Sequence, residues 1–205
     1  MRSTICDVAV LGDGPMALVA ATAAAVAGAD ALLLGAEGVD EDILLAAILA
    51  EQARRTGVRR LAHCDVQRVV RRGRSLVAVV CEHAQIEARF FIDASERCEV
   101  VAKAGIPARA LPVYEPSPDR EYIDTIAVYD TASGRCALPY GATLIPALDN
   151  ALTVPRGDAV PAGLAIAGAH AVGVAAALLA ASGQPAAAFD SATLRERLRD
   201  DGARL

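Results

Sequence analysis

The 205-residue sequence predicts an α/β fold, in which a parallel sheet has flanking helices and a β-meander crossover. The first observation is an apolar run at residues 8–11, followed by a glycine turn, an alanine-rich segment and a second apolar run at residues 31–34. That order is typical of strand, tight turn, helix and strand. The second is a change to short β-rich runs between residues 58 and 92, and the third is a long Ala/Gly-rich helical segment near the C-terminus.

The glycine turn has the spacing of a dinucleotide-binding fingerprint, which makes the predicted fold Rossmann-like. Gly12 would make the turn, Gly14 would let a pyrophosphate approach the backbone, and Ala17 would allow close packing of helix and strand. Together with Pro15 they are candidate cofactor-binding residues, because amides at a helix N-terminus attract phosphate. The alternative is that the glycines serve only the turn.

The middle elements follow in order along the chain. A helix is predicted to begin at its cap, Asp40, and to stop at Gly57, with acidic residues in its first turn and arginines in its last. Runs at residues 60–70, 76–82 and 85–92 predict the meander, whose last strand enters the buried sheet. Ser95 is then expected to cap a helix that ends at Gly105.

The C-terminal third is predicted to return to the sheet and end in helices. Residues 107–148 are rich in proline and are expected to be irregular, with one strand over 122–129. Strand pieces at residues 144–146 and 151–154 precede a long helix over 161–181 and a charged helix over 191–201, capped by Ser191. No repeat or linker divides the chain, so residues 1–205 form a single predicted domain.

Composition excludes several classes of function. A net charge of −5 and an aromatic content of 3% argue against a nucleic-acid partner. The apolar segment 162–181 approaches the length of a membrane span, but it consists mostly of Ala and Gly, so a buried helix and no membrane partner are predicted. The five cysteines have no paired short spacing, which predicts a cytoplasmic protein with neither a metal site nor a disulfide framework.

The order of these segments resembles the FAD-dependent oxidoreductases of the glutathione-reductase-like fold. The similarity rests on the fingerprint, the meander, the segment Ile92-Asp93-Ala94-Ser95, the Asp149-Asn150 strand and the terminal Ala/Gly helix. The resemblance implies FAD as the cofactor, with Ser95 near it and Gly168 and Gly173 beside the flavin. It also implies that His170 acts as an acid or donor there; the alternative is a hydrogen-bonded histidine inside a packed helix.

Three departures from the family pattern weaken the predicted FAD site. Gly35 stands where relatives carry a carboxylate for the adenosine ribose, and Glu37 substitutes only if its loop bends back. Glu96 and Arg97 stand where relatives have small residues. Pro155 replaces a glycine, which fixes φ and removes an amide donor.

The chain is also shorter than the relatives that the resemblance implies. Substrate-domain insertions are expected between Glu37 and Ile43 and within residues 107–139, and both are missing or short. The predicted organisation is therefore a fingerprint, meander and third strand in residues 1–107, a remnant of the substrate region in 108–148, and a C-terminal strand with helices in 149–205.

The sequence leaves two functions open. One is a minimal FAD-dependent oxidoreductase that acts on a small-molecule substrate, with a pocket completed by a second copy or a partner subunit. The other is a degenerate flavoprotein fold without FAD, which serves as an interaction subunit or as a cofactor-independent enzyme.

Overall fold

The computed structural model describes residues 2–35, 43–62, 64–107, 111, 114–120, 122–155, 157 and 159–205. Its strands are β1 (Arg2–Leu11), β2 (Ala31–Gly35), β3 (Arg59–Ala62), β4 (Arg68–Arg72), β5 (Ser75–Val80), β6 (Ala84–Asp93), β7 (Thr125–Thr131), β8 (Gly134–Pro139) and β9 (Ala151–Thr153). Its helices are α1 (Pro15–Val26), α2 (Ile43–Arg55), α3 (Glu99–Lys103), α4 (Ala162–Ser182) and α5 (Ser191–Asp200). Short 3₁₀ helices cover Tyr140–Thr143 and Ala186–Ala188.

Seven strands of the described residues form one mixed sheet in the order β3-β2-β1-β6-β5-β4, with β9 also paired to β6. β1 is parallel to both β2 and β6, whereas β4 and β5 pair in antiparallel fashion. The first half of β6, at Gln85–Glu87, pairs with β5 in antiparallel fashion. Its last residues, Phe91–Asp93, pair in parallel with β9. The predicted α/β fold is thus confirmed, with the last meander strand entering the central sheet.

Both faces of the sheet are covered, because successive side chains of a strand point to opposite faces. Val8, Val10 and Leu33 pack on one face against α1 and α4. On the other face, Ala9 and Leu32 pack in a second core with residues of β5, α3 and the loop before β4. The apolar runs at residues 8–11 and 31–34 therefore fill two cores rather than one.

Small side chains let α1 and α4 approach closely. A Cβ placed on Gly173 of α4 would overlap the Ala20 carbonyl oxygen of α1 and would lie 2.8 Å from Ala23 Cβ. The alanine-rich composition of both helices is explained by this contact.

The parallel strands bring their carboxyl ends to one edge of the sheet. The chain leaves β1 toward β2 and β3 on one side, while β6 and β9 lie on the other. The carboxyl ends of parallel strands meet at the same edge, and a crevice opens where the strand order reverses. The turn after Leu11 and the segment after Asp93 border that crevice.

Several element predictions are wrong in detail. The run 60–70 is two strands, since β3 pairs in parallel with β2 while β4 pairs in antiparallel with β5, and the chain must change partners between them. The cap of α5 is Asp190, whose Oδ1 accepts a hydrogen bond from Ala192 N at 2.9 Å, and not Ser191. Leu144 forms only an isolated bridge with Leu152. The predicted cap Asp40 lies outside the described residues.

The region predicted to be irregular contains a β-hairpin. β7 and β8 pair in a separate two-stranded sheet, whereas the sequence predicts one strand over 122–129. The Tyr114 hydroxyl donates a hydrogen bond to Ala137 O at 2.7 Å, which ties the preceding segment to β8. The ring of Tyr129 in β7 lies against Gly163 at the start of α4.

A disulfide joins Cys64 to Cys81, contrary to the prediction from cysteine spacing. Cys64 lies in the loop before β4, and Cys81 directly follows β5, the strand that pairs with β4, so the Cα atoms of the two cysteines are 5.4 Å apart. Spacing along the chain carries no sign of this. Disulfides are typical of oxidising compartments, so the cysteines no longer favour the cytoplasm.

Among the described helices, α4 is long and apolar enough to cross a bilayer. Of the apolar 18-residue stretch of α4 that could span a bilayer, 67% is buried inside the protein. Because buried core helices meet the same criterion, length and composition alone are weak evidence for a membrane span.

Candidate dinucleotide site

The fingerprint turn needs its first glycine for two reasons. Gly12 has a backbone φ of +143°, which residues other than glycine rarely adopt. A Cβ at this position would lie 2.6 Å from Ala94 O, in the segment that follows β6. Gly12 N donates to Leu34 O at 2.9 Å, so the turn is also fastened to β2.

The second glycine is not required by the fold. Gly14 is the N-cap of α1 with φ −85° and ψ 177°, a conformation open to any residue. No atom of the described residues lies within 4 Å of a Cβ placed on it. Pro15 is the first helical residue, and no side chain caps the helix. The space beside the N-cap of α1, where a side chain of residue 14 would stand, is therefore open.

Ala17 fills the third position as the fingerprint predicts. It is 0% exposed and belongs to the core between α1 and the sheet. A larger side chain has no room there, which fits the requirement for close helix–strand packing.

A shallow pocket beside the turn lies between α1 and the ends of β2 and β3. It is a depression open to solvent, and its lining includes Gly12, Asp13, Gly35 and Arg60.

Asp93 organises the opposite side of the crevice. Its carboxylate is 0% exposed and accepts hydrogen bonds from Ser95 Oγ at 2.6 Å and Val101 N at 3.2 Å. Ser95 Oγ in turn accepts a bond from Glu99 N at 2.8 Å. The predicted cofactor residue Ser95 thus holds the loop before α3, which is shorter than predicted.

The glycines predicted beside the flavin are in contact with protein atoms. Gly173 lies against α1, as described above. A Cβ on Gly168 would come within 2.6 Å of Pro155 Cγ and 2.7 Å of Leu138 Cδ2. Pro155 is itself buried, so it closes the face of α4 where relatives carry a glycine.

His170 lies on α4 under the influence of α5 and not of the fingerprint turn. Burial lowers the pKa of His170 below its usual range, while the Asp201 carboxylate acts in the opposite direction. Asp201 is also paired with Arg197 at 3.0 Å. This environment fits the alternative reading of His170 as a histidine within helix packing.

Two further predictions can be located only in part. Glu37, the suggested substitute for the ribose carboxylate, lies outside the described residues. No group of three or more His, Cys, Asp or Glu side chains suited to a metal ion occurs in the part of the chain that the structure describes.

Comparisons with known proteins bear on this site. A family model described as FAD dependent oxidoreductase matches residues 39–110, which run from α2 through the meander to the segment beyond α3. This segment resembles FAD-dependent oxidoreductases. The match covers about a third of the chain and does not include the fingerprint. A comparison with curated proteins finds no match.

The solved structures extend the likeness to the whole fold. A geranylgeranyl bacteriochlorophyll reductase-like protein from Thermoplasma acidophilum has a TM-score of 0.58 at 13% identity, and the alignment covers 98% of this chain and 84% of that chain. Thioredoxin reductase from Streptococcus pyogenes has a TM-score of 0.40 at 20% identity, covering 44% of this chain and 35% of that one. The aligned part therefore spans about a third of that reductase. The Rossmann-like fold and the resemblance to the flavoprotein family are confirmed at this level.

The two ends of the crevice differ in how well they fit FAD. At the fingerprint turn, open space beside the N-cap of α1 fits a pyrophosphate. At α4, the contact of Pro155 with Gly168 leaves no comparable cradle. The residues present therefore fit the ADP half of the cofactor better than its flavin half.

Sequence reasoning missed two carboxylates of the site. The carboxylate of Asp93 is buried and accepts hydrogen bonds from Ser95 N, Ser95 Oγ and Val101 N, the last of which belongs to α3. Asp13 stands between the two fingerprint glycines, and a charged residue at that position is a signal that the sequence carries. The direction of its side chain is what the sequence cannot supply.

Proposed function

We propose that this chain is a minimal FAD-dependent oxidoreductase, which acts on a small-molecule substrate and holds the ADP half of FAD at the fingerprint turn. The observation that carries the proposal is Gly14. Glycine is a favourable N-cap, within a few tenths of a kcal/mol of Ser, Asn or Asp, but neither its φ nor its surroundings require it here. A ligand that approaches the helix closely explains why no side chain is present.

The physical basis of binding is the N-terminus of α1. The positive end of the helix dipole favours a negatively charged group there, and Pro15 sets the first turn without an N–H of its own. When bound, FAD supplies the electron-transfer chemistry, so the protein needs only to bind it, orient it and exclude water. The family match and the Rossmann-like fold support this assignment.

The second part of the proposal is that another chain completes the pocket. Pro155 fills the face of α4 at Gly168, so this chain gives the flavin little support there. Next to it, Tyr129 is 43% exposed against Gly163, and Ile166, one turn along α4, is 37% exposed. A second copy or a partner subunit that covers these side chains would keep water from the flavin.

The test replaces Gly14 with serine. Serine is a good N-cap, so Gly14→Ser is expected to leave the free energy of unfolding within a few tenths of a kcal/mol of wild type. Its hydroxyl would stand where the pyrophosphate approaches, and FAD affinity, measured by quenching of flavin fluorescence, is expected to fall about tenfold or more. Val26→Ser, at the exposed opposite end of α1, is the matched control and should bind FAD as wild type does. Unchanged FAD affinity in Gly14→Ser would overturn the role of this turn.

The alternative function, an FAD-free interaction subunit or cofactor-independent enzyme, is favoured by the Pro155–Gly168 contact. Titrations with FAD, ADP and FMN separate the two. The proposal predicts that ADP binds nearly as well as FAD and that FMN does not bind to the isolated chain. Failure of all three to bind would leave the alternative.

A further inference from the structure

A carboxylate from the neighbouring turn lies beside the end of β2, although the last residue of that strand is glycine. A Cβ placed on Gly35 would overlap Asp13 Oδ1 and would lie 2.6 Å from Gly12 O. The backbone of Gly35 is not in the left-handed region, so its φ does not require glycine. The side chain of Asp13 and the carbonyl group of Gly12 together occupy the room that a side chain at position 35 would need.

Asp13 therefore borders the pocket beside the fingerprint turn. Gly35 is in register with Ala62 of the parallel strand β3, and both line this pocket. Arg60, an exposed residue of β3, lines it as well. The pocket thus combines the carboxylate of Asp13, which can accept hydrogen bonds from hydroxyl groups, with the planar guanidinium of Arg60, on which an aromatic base can stack.

We propose that Asp13 supplies the carboxylate that accepts the ribose hydroxyls of the adenosine half, in place of a side chain at the end of β2, and that Gly35 is glycine in order to admit it. This inference rests on the proposed function, because it names the residue that recognises one part of the same ligand. The carboxylate moves from one strand end to the neighbouring turn, while it stays at the same edge of the sheet.

The chemistry of a carboxylate suits this role. It has two oxygens and about four acceptor directions, so Asp13 can anchor its own turn and still accept two adjacent hydroxyl groups. A hydrogen bond from a hydroxyl group to an ionised carboxylate is roughly twice as strong as a hydrogen bond between two neutral groups. The same negative charge disfavours a ribose that carries a 2′-phosphate.

The experiment measures ADP binding by isothermal titration calorimetry. Asp13→Asn keeps the shape of the side chain but removes its charge, and it is expected to weaken ADP binding about 10- to 100-fold. Gly35→Ala should cause a similar or larger loss, because its Cβ meets both the Asp13 carboxylate and the Gly12 carbonyl of the turn. Asp65→Asn, an exposed aspartate outside the pocket, is the matched control and should bind ADP as wild type does. Far-UV circular dichroism checks that each variant is folded.

The ligand provides the complementary test. Wild type should bind 2′-deoxy-ADP and 2′-phosphorylated ADP more weakly than ADP, whereas Asp13→Asn should discriminate little between ADP and 2′-deoxy-ADP. Suppose that wild type binds ADP and FAD. If Asp13→Asn then binds ADP and FAD as tightly as wild type does, or discriminates against 2′-deoxy-ADP as wild type does, this inference is wrong and the proposed function stands. If wild type binds neither ADP nor FAD, the proposed function itself is wrong.

Discussion

Gly173 offers a sharp separation between a packing role and a cofactor role. In Gly173→Ala the new Cβ would overlap the Ala20 carbonyl oxygen and would lie 2.8 Å from Ala23 Cβ, so α1 and α4 must move apart. Because the nearest atom is a backbone carbonyl, which cannot move aside alone, this overpacking should cost about 2–3 kcal/mol, the upper part of the usual range, while the higher helix propensity of alanine returns about 1 kcal/mol. The expected net loss is about 1–2 kcal/mol, or a Tm lower by roughly 2–8 °C for a chain of this size.

The assay is urea unfolding followed by far-UV circular dichroism, with Gly163→Ala as the matched control. Gly163 is in the same helix, but its neighbour is the ring of Tyr129, which is 43% exposed and can move aside. Gly163→Ala should therefore be near neutral or slightly stabilising. A Gly173→Ala protein as stable as wild type, or more so, would refute the packing role and return Gly173 to the list of candidate flavin contacts.

Three further predictions concern titratable side chains that are buried or half-buried. Asp93→Ala should lower the free energy of unfolding by about 2–4 kcal/mol in the same urea assay, because it leaves Val101 N and Ser95 N without their buried acceptor; a loss under 1 kcal/mol would contradict this. His170 has a lowered pKa in the folded state, so its contribution to stability is complete above the unfolded pKa of about 6.5 and is lost as pH falls below it; His170→Gln should flatten that part of the stability–pH curve, and an unaltered curve would count against it. Burial raises the pKa of Cys6 to about 12, so its thiol should resist iodoacetamide at pH 8 until the protein is unfolded, and modification of the native protein would show otherwise.

The elements that the sequence predicted well are those with local causes. The β1–α1–β2 unit follows from apolar runs and from the turn at Gly12, whose φ only glycine adopts easily. The end of α4 follows from Gly183, which has a left-handed φ of 67°. These signals lie within a few residues of the structure they determine.

The predictions that failed depend on partners distant in the chain. The break between β3 and β4 arises because the first pairs with β2 and the second with β5. The Cys64–Cys81 disulfide forms where the chain returns along β5, which spacing does not reveal.

The candidate site divides in the same way. The fingerprint residues were found from their spacing, because the first turn of a helix is a local structure. Gly168 meets Pro155 from another element, and Asp13 lies over Gly35 of a neighbouring strand. Which side chain fills the space left by a glycine is decided by tertiary packing.

The central claim is that this chain binds FAD, and the visible spectrum of the purified protein tests it most directly. The protein would be recorded as purified and again after incubation with excess FAD and removal of the unbound fraction. We expect a protein-bound flavin spectrum with absorbance near one FAD per chain after incubation. A colourless protein that retains no flavin in either sample would contradict the claim.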